Sequence, residues 1–146
     1  MPKNFLSVSA AFIALMFSGC SRGPDLPPAR TKPNNLVTLK DVQRVFDQRC
    51  IACHAPGAYE DGSAMGGLVL SSGKAARNLI SAKSLESTLN RVTPGDLSKS
   101  YLYHKLRGSF AQVGGTGVKM PLSGSIPEEE ILLIEDWILS GAPTNE

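Results

Sequence analysis

Cys50-Ile51-Ala52-Cys53-His54 is the stretch of this sequence that decides its fold. Residues three apart in a helical turn are neighbours, so the sulfurs of Cys50 and Cys53 face the same side of the chain. His54 follows at once and brings an imidazole, whose neutral form binds metals through a ring nitrogen. The stretch therefore presents two thiols and one metal ligand to a single partner.

A cysteine pair with this spacing and an adjacent histidine is typical of covalent attachment of haem c. Both thiols would bond to one porphyrin, and His54 would bind its iron. Three other interpretations are open. A thioredoxin-like dithiol needs a βαβ setting, which the pattern lacks. A zinc site needs about four ligands, and of the remaining residues His104 alone could join these three. A simple disulfide would be strained across two intervening residues.

Met120 is the candidate for the second axial iron ligand. It follows the glycines of Gly114-Gly115-Thr116-Gly117, which would let its loop cover the opposite haem face. A thioether opposite a histidine raises the reduction potential and favours electron transfer. Met65 and His104 are the alternatives. Met65 lies close behind the attachment motif, from where reaching across the haem is awkward, and His104 lies in a predicted helix.

The N-terminus reads as an export signal over residues 1–19. Lys3 precedes a mostly apolar run from Phe5 to Phe17, which is typical of a signal-peptide core and too short to span a bilayer. The small residues just before Cys20 resemble a bacterial lipobox, in which that cysteine is lipidated. The alternative is an ordinary secretory signal with an incidental Cys20. In either case we expect export, where free thiols at Cys50 and Cys53 would be at risk of oxidation unless bonded to haem.

Residues 20–36 are rich in proline and poor in large apolar side chains, which predicts an extended tether. Residues 37–146 form the remaining domain. A lipid on Cys20 would hold the protein on a membrane surface at the periplasmic side, and Ser21 favours the outer membrane over the inner one.

The domain is predicted to be all-α, with helices separated by long glycine-rich loops. Apolar spacing predicts helices over residues 38–50, 84–92 and 98–107, and a last helix that ends at Gly141. Thr38 is the expected cap of the first helix, with Asp41 in its first turn. In the last helix, Ser125 to Glu128 fits a capping box with Pro127 in the first turn, and Glu128–Glu130 lie at the positive helix end. Trp137 is interpreted as core, with a place beside the haem as the alternative.

The stretch from Phe46 to Ala142 resembles the planctomycete-type subgroup of monohaem cytochrome c domains. The similar pieces, in order, are Phe46–His54, Gly66–Leu70, Pro94–Leu102, Lys119–Pro121 and Ile131–Ala142. The resemblance implies a class I cytochrome c fold of three to five helices, in which the N- and C-terminal helices cross beside one covalent haem. It also implies that His54 and Met120 are the axial ligands. Ala55 departs from the glycine that is usual in this family.

These patterns together predict an electron carrier rather than an enzyme. No nucleophile–base pair, carboxylate pair or phosphate loop stands out. A net charge of +2 is too close to zero to suggest a nucleic-acid partner, which would need a clustered basic face. The expected partners are redox proteins that donate and accept electrons, and the membrane surface. The alternatives are a haem-based gas or redox sensor and a cytochrome subunit of a larger oxidoreductase.

Overall fold

Short helices joined by long loops make up residues 36–122 and 124–144, which are the residues that the structure, a computed structural model, describes. The signal segment 1–19, Cys20 and nearly all of the tether lie outside the described residues. The helices are α1 (Leu39–Arg49), α2 (Ala75–Leu79), α3 (Tyr101–Arg107) and α4 (Glu128–Leu139), with 3₁₀ turns at Met65–Gly67 and Phe110–Val113. Within the described ranges, strand-like pairing is limited to isolated bridges, so the all-α prediction is confirmed.

Helix α1 begins and ends where the sequence predicts. The N–H and hydroxyl of Thr38 both donate to the Asp41 carboxylate, at 3.0 and 2.9 Å, and Cys50 is the C-cap residue. Val42 and Phe46 are fully buried, as expected for the inward face of an amphipathic helix.

Helix α4 packs against α1, and both helices contribute buried side chains to the core. Trp137 is fully buried, and its ring meets that of Phe46 edge to face, with 6.5 Å between the ring centroids. The guanidinium of Arg49 binds the Glu130 carboxylate with two hydrogen bonds of 2.9 and 3.0 Å. The interpretation of Trp137 as a core residue is confirmed. Other buried apolar residues of this core are Leu39, Val42, Val45, Leu70, Leu79, Val92, Leu106, Ile131, Ile134 and Ile138.

The predicted capping box of α4 is wrong, although the helix itself is confirmed. The N-cap residue is Pro127, with extended backbone at φ −55° and ψ 144°, and no side chain caps the helix. Ser125 therefore lies two residues outside the helix and cannot reach its first N–H groups. Glu128–Glu130 do occupy the first turn, where their charges favour the positive helix end.

Helix α3 starts three residues later than predicted. The Asp96 carboxylate accepts the Ser98 hydroxyl at 2.6 Å and the Lys99 N–H at 3.2 Å, which keeps this segment in a turn. The N–H groups of Tyr101 and Leu102 then donate to carbonyls of Asn90 and Arg91, each at 2.9 Å. Because these two carbonyls satisfy the first N–H groups of the helix, the helix begins at Tyr101. It ends at Gly108, in the left-handed conformation that glycine favours.

The prediction of a helix over residues 84–92 is wrong. The hydroxyls of Ser84 and Ser87 accept the N–H groups of Glu86 and Leu89, at 3.1 and 3.2 Å. Such local side-chain bonds compete with helical hydrogen bonds. Leu85, expected on the apolar face, is 77% exposed. Helix α2, with only five residues, was not predicted, because so short a segment carries too little periodicity.

None of the helices in the described ranges is long and apolar enough to cross a membrane.

Candidate functional site

The Cys50–His54 motif continues directly from the end of α1. The Cys50 N–H donates to the carbonyl of Phe46 at 2.9 Å, and the N–H groups of Cys53 and His54 donate to the carbonyl of Cys50 at 3.1 and 2.9 Å. The motif therefore forms a tight turn on a helix that the core holds in place. Both cysteines are half-buried free thiols, so the disulfide interpretation finds no support.

The Cys50 thiol lies in a poorly hydrated place beside α4. Burial, with a smaller contribution from the Glu130 charge, raises its pKa to about 11. A redox-active dithiol needs a thiolate at neutral pH, and reactive cysteines have lowered pKa values. This environment therefore disfavours a thioredoxin-like role for the pair.

The His54 ring is oriented by the loop that follows the motif. Its Nδ1 lies 3.0 Å from the Met65 carbonyl oxygen, and a carbonyl only accepts, so Nδ1 carries the proton. Backbone bonds hold the loop here: the Met65 N–H donates to the Cys53 carbonyl at 3.0 Å, and the Leu70 N–H donates to the His54 carbonyl at 2.7 Å. Burial, more than any other influence, lowers the pKa of His54 and so favours the neutral ring. With the proton on Nδ1, Nε2 of the neutral ring carries the lone pair that a metal would take, and a backbone hydrogen bond with Leu68 also acts on the ring.

His104 has a structural role and does not join the motif. Its Nε2 lies 2.9 Å from the Ser98 carbonyl, and its Nδ1 lies 2.8 Å from the Ser109 hydroxyl. Both ring nitrogens are occupied, which leaves no nitrogen for a metal. Among the described residues no three His, Cys, Asp or Glu side chains gather as a metal site, so the zinc interpretation has no support there.

Met120 lines a cavity of about 560 Å³ between α3, α4 and the loop that joins them. Leu106, Ile126 and Ile131 provide apolar walls, and Arg107 and Glu128 lie at its polar side. The Met120 N–H donates to the Lys105 carbonyl at 2.9 Å, so α3 anchors the methionine. Met120 thus combines a thioether, partial burial and an adjoining cavity.

The backbone of Met65 lies at the Nδ1 side of the His54 ring, because its carbonyl accepts the hydrogen bond from that nitrogen. A metal would bind Nε2, on the other side of the ring. Met120 lies on a different loop, which is anchored to α3 through the Lys105 carbonyl.

Helices α3 and α4 both act on the Cys50–His54 motif and on the surroundings of Met120. Lys105 of α3 is close enough for its charge to contribute to the lowered pKa of His54, and its carbonyl holds Met120. Glu130 of α4 acts on Cys50, while Ile131, the next residue, lines the Met120 cavity. The attachment motif and Met120, about seventy residues apart in sequence, are therefore neighbours of the same α3 and α4 segments.

Sequence reasoning missed Arg91 and Lys105, two basic side chains whose charges help to lower the pKa of His54. The Arg91 guanidinium donates to the Asn78 carbonyl at 3.0 Å and approaches the carbonyls of Gly66 and Gly67 at 3.4 Å. It therefore supports the loop beside His54. No sequence pattern marks either residue, because both act through contacts between distant loops.

The chain matches no known protein family, no curated protein and no solved structure.

Proposed function

We propose that this chain is a monohaem c-type cytochrome that carries electrons, with thioether bonds from Cys50 and Cys53 and axial ligands His54 and Met120. Its fold would be the class I cytochrome c type, and its family the planctomycete-type subgroup that its sequence resembles. The supporting evidence is the chemistry of the donor set and its arrangement on α1, α3 and α4.

The hydrogen bond from His54 Nδ1 to the Met65 carbonyl carries this proposal. Metal-binding histidines almost always donate their second ring nitrogen to such an acceptor, which fixes the tautomer and the ring orientation. Here the bond stands beside two thiols three residues apart, which together with the histidine make up the donor set that haem c uses. The donor set therefore fits haem c.

The neighbouring residues suit an electron carrier. Haem, when bound, supplies an iron that gains and loses one electron. Cys50 and Cys53 would hold the group covalently, which uses up both thiols. His54 and Met120 would fill both axial positions and leave no place for a substrate or a gas. The cavity beside Met120 has a mixed lining, with Leu106 and Ile131 among its apolar residues and Arg107 and Glu128 among its charged ones.

The contact between α1 and α4 supports the class I assignment. These are the first and last helices of the described residues, and they pack together through Phe46 and Trp137. We further propose export, lipid attachment at Cys20 and a place on the periplasmic side of a bacterial membrane. Electron donors and acceptors would be other redox proteins.

Covalent haem is the first point to test. The full chain, made in a host that matures c-type cytochromes, should gain the mass of one haem and give a pyridine haemochrome spectrum of the two-thioether type. A Cys53→Ser variant should show a one-thioether spectrum or lose the haem. A colourless wild-type protein with the bare polypeptide mass would refute the proposal.

Replacement of Met120 tests the axial ligand. Met120→Ala should keep the haem, lose the methionine–ferric charge-transfer band, lower the reduction potential and bind added imidazole, because one axial position opens. Met65→Leu is the matched control and should retain the band. An unchanged potential in Met120→Ala, or loss of the band in Met65→Leu, would contradict the assignment. A high-spin ferric spectrum in the wild type would instead indicate a sensor.

A further inference from the structure

The side chain of Lys105 is buried in a polar and aromatic setting at the edge of the Met120 loop. Its ammonium nitrogen lies 2.8 Å from Oε2 of Glu86, and only 8% of the Lys105 side chain is exposed. It also lies 5.7 Å from the ring centre of Tyr101 and 5.1 Å from that of Phe110. A carboxylate and two aromatic faces hold the ammonium in one place.

The segment 115–117 docks on this ion pair. The Thr116 N–H donates to the Glu86 carbonyl at 3.0 Å, and the Thr116 carbonyl accepts the Tyr101 hydroxyl at 2.8 Å and approaches the Lys105 ammonium at 3.4 Å. Gly117 lies directly against the pair. A Cβ there would come within 2.5 Å of Glu86 Oε1 and 2.8 Å of Lys105 Nζ. The close approach, and a φ of +83°, account for glycine at this position.

Lys105 holds the same loop a second time through its backbone. Its carbonyl accepts the Met120 N–H at 2.9 Å, four residues beyond Thr116. One residue of α3 thus fastens both ends of residues 116–120, with its side chain at one end and its carbonyl at the other. The residues between the two points are few, so movement at Thr116 is transmitted to Met120.

We propose that Lys105 and Glu86 form a latch that closes the loop of residues 115–120 and thereby keeps the Met120 thioether at the haem iron. They are positioning residues, since neither provides an iron ligand. The iron-directed part of this inference rests on the proposed function. The closure of the loop depends only on the contacts above.

Removing either charge of the Lys105–Glu86 pair should loosen the loop of residues 115–120 without displacing Met120 from the iron. In Lys105→Met and in Glu86→Gln, the Thr116 and Met120 amides should exchange hydrogen about tenfold faster, and added imidazole should bind the ferric haem about tenfold more tightly. The charge-transfer band should weaken in both variants. Lys105→Arg, which keeps the positive charge, should recover most of the band. Glu86→Gln changes a side chain that is 40% exposed, so it tests the latch even where Lys105→Met fails to fold.

Lys99→Met is the matched control. Lys99 also pairs with a carboxylate, Asp96, at 3.1 Å, but its side chain is 69% exposed and the pair lies away from the Met120 loop. This variant should behave as the wild type in all three measurements.

The two proposals fail in different ways. Wild-type exchange rates and imidazole affinity in both latch variants, with the band intact, would overturn the latch and leave the cytochrome assignment standing. A wild-type protein without haem would refute the cytochrome. The amide exchange rates would then still decide whether the ion pair closes the loop.

Discussion

Replacing Trp137 tests whether the contact between α1 and α4 holds the turn of Cys50–His54 in place. Trp137 is fully buried on α4, its ring meets Phe46 of α1, and its Nε1 donates to the Pro143 carbonyl at 3.1 Å. Phe46 in turn accepts the Cys50 N–H. Loss of the indole should therefore destabilise the domain and loosen the turn that carries Cys50.

The magnitude follows from the packing of the side chain. In Trp137→Phe, a lost hydrogen bond contributes about 1 kcal/mol and the smaller ring about 1 kcal/mol more. The Pro143 carbonyl still accepts the Leu39 N–H at 3.0 Å, so it is not left unsatisfied and adds no further penalty. In Trp137→Ala, the cavity should raise the cost to about 4 kcal/mol. A domain of this size has a free energy of unfolding of roughly 5–15 kcal/mol.

Urea unfolding of the full chain, followed by far-ultraviolet circular dichroism, measures both variants. Fluorescence is unsuitable because Trp137 is the only tryptophan in the sequence. Leu36→Ala, which alters a side chain that is 63% exposed, is the control and should stay within about 0.5 kcal/mol of the wild type. A loss of less than about 1 kcal/mol in Trp137→Ala would show that α1 and α4 do not depend on this contact, and the reasoning would be wrong.

Two further predictions concern the cysteines. The first uses a Cys20→Ser, Cys53→Ser variant made without haem. Because the pKa of Cys50 is raised in the folded protein, fewer folded than unfolded molecules carry a thiolate near neutral pH. Alkylation should be about a hundredfold slower when folded than in urea, where the pKa returns towards its ordinary 9.0; equal rates in both states would contradict the buried placement. For the anchor, Cys20→Ala should move the exported protein from the membrane to the soluble fraction, as judged by fractionation and immunoblotting. Membrane association that persists in this variant would exclude a lipid on Cys20 as the anchor.

Several features of the fold follow from short stretches of sequence. The bounds of α1 were predicted because Thr38 and Asp41 form the helix start between themselves. The three glutamates at the start of α4 were interpreted correctly, since a helix dipole acts within one turn. Even so, local reasoning placed the α4 cap at Ser125, although the helix begins after Pro127.

Residues 84–92 show where local patterns fail. Leu85 and Leu89 have helical spacing, but the serine hydroxyls and the Leu79 and Ala82 carbonyls take up the N–H groups of this segment. Whether this segment makes these hydrogen bonds or forms a helix depends on α2, which ends at Leu79, and on the residues after it, which include Ala82. Neither is visible as a sequence pattern, so the spacing of Leu85 and Leu89 gave the wrong prediction.

For the candidate site, the sequence by itself determined the donor atoms: two thiols and an imidazole within five residues, with a thioether farther along the chain. The tertiary structure decided which donors are available. It occupies both nitrogens of His104, puts the Met65 carbonyl at Nδ1 of His54, and fastens the Met120 N–H to Lys105. The physical reason is that covalent spacing brings only near neighbours together, whereas the proton position on an imidazole and the placement of a loop depend on hydrogen bonds from residues far away in the chain.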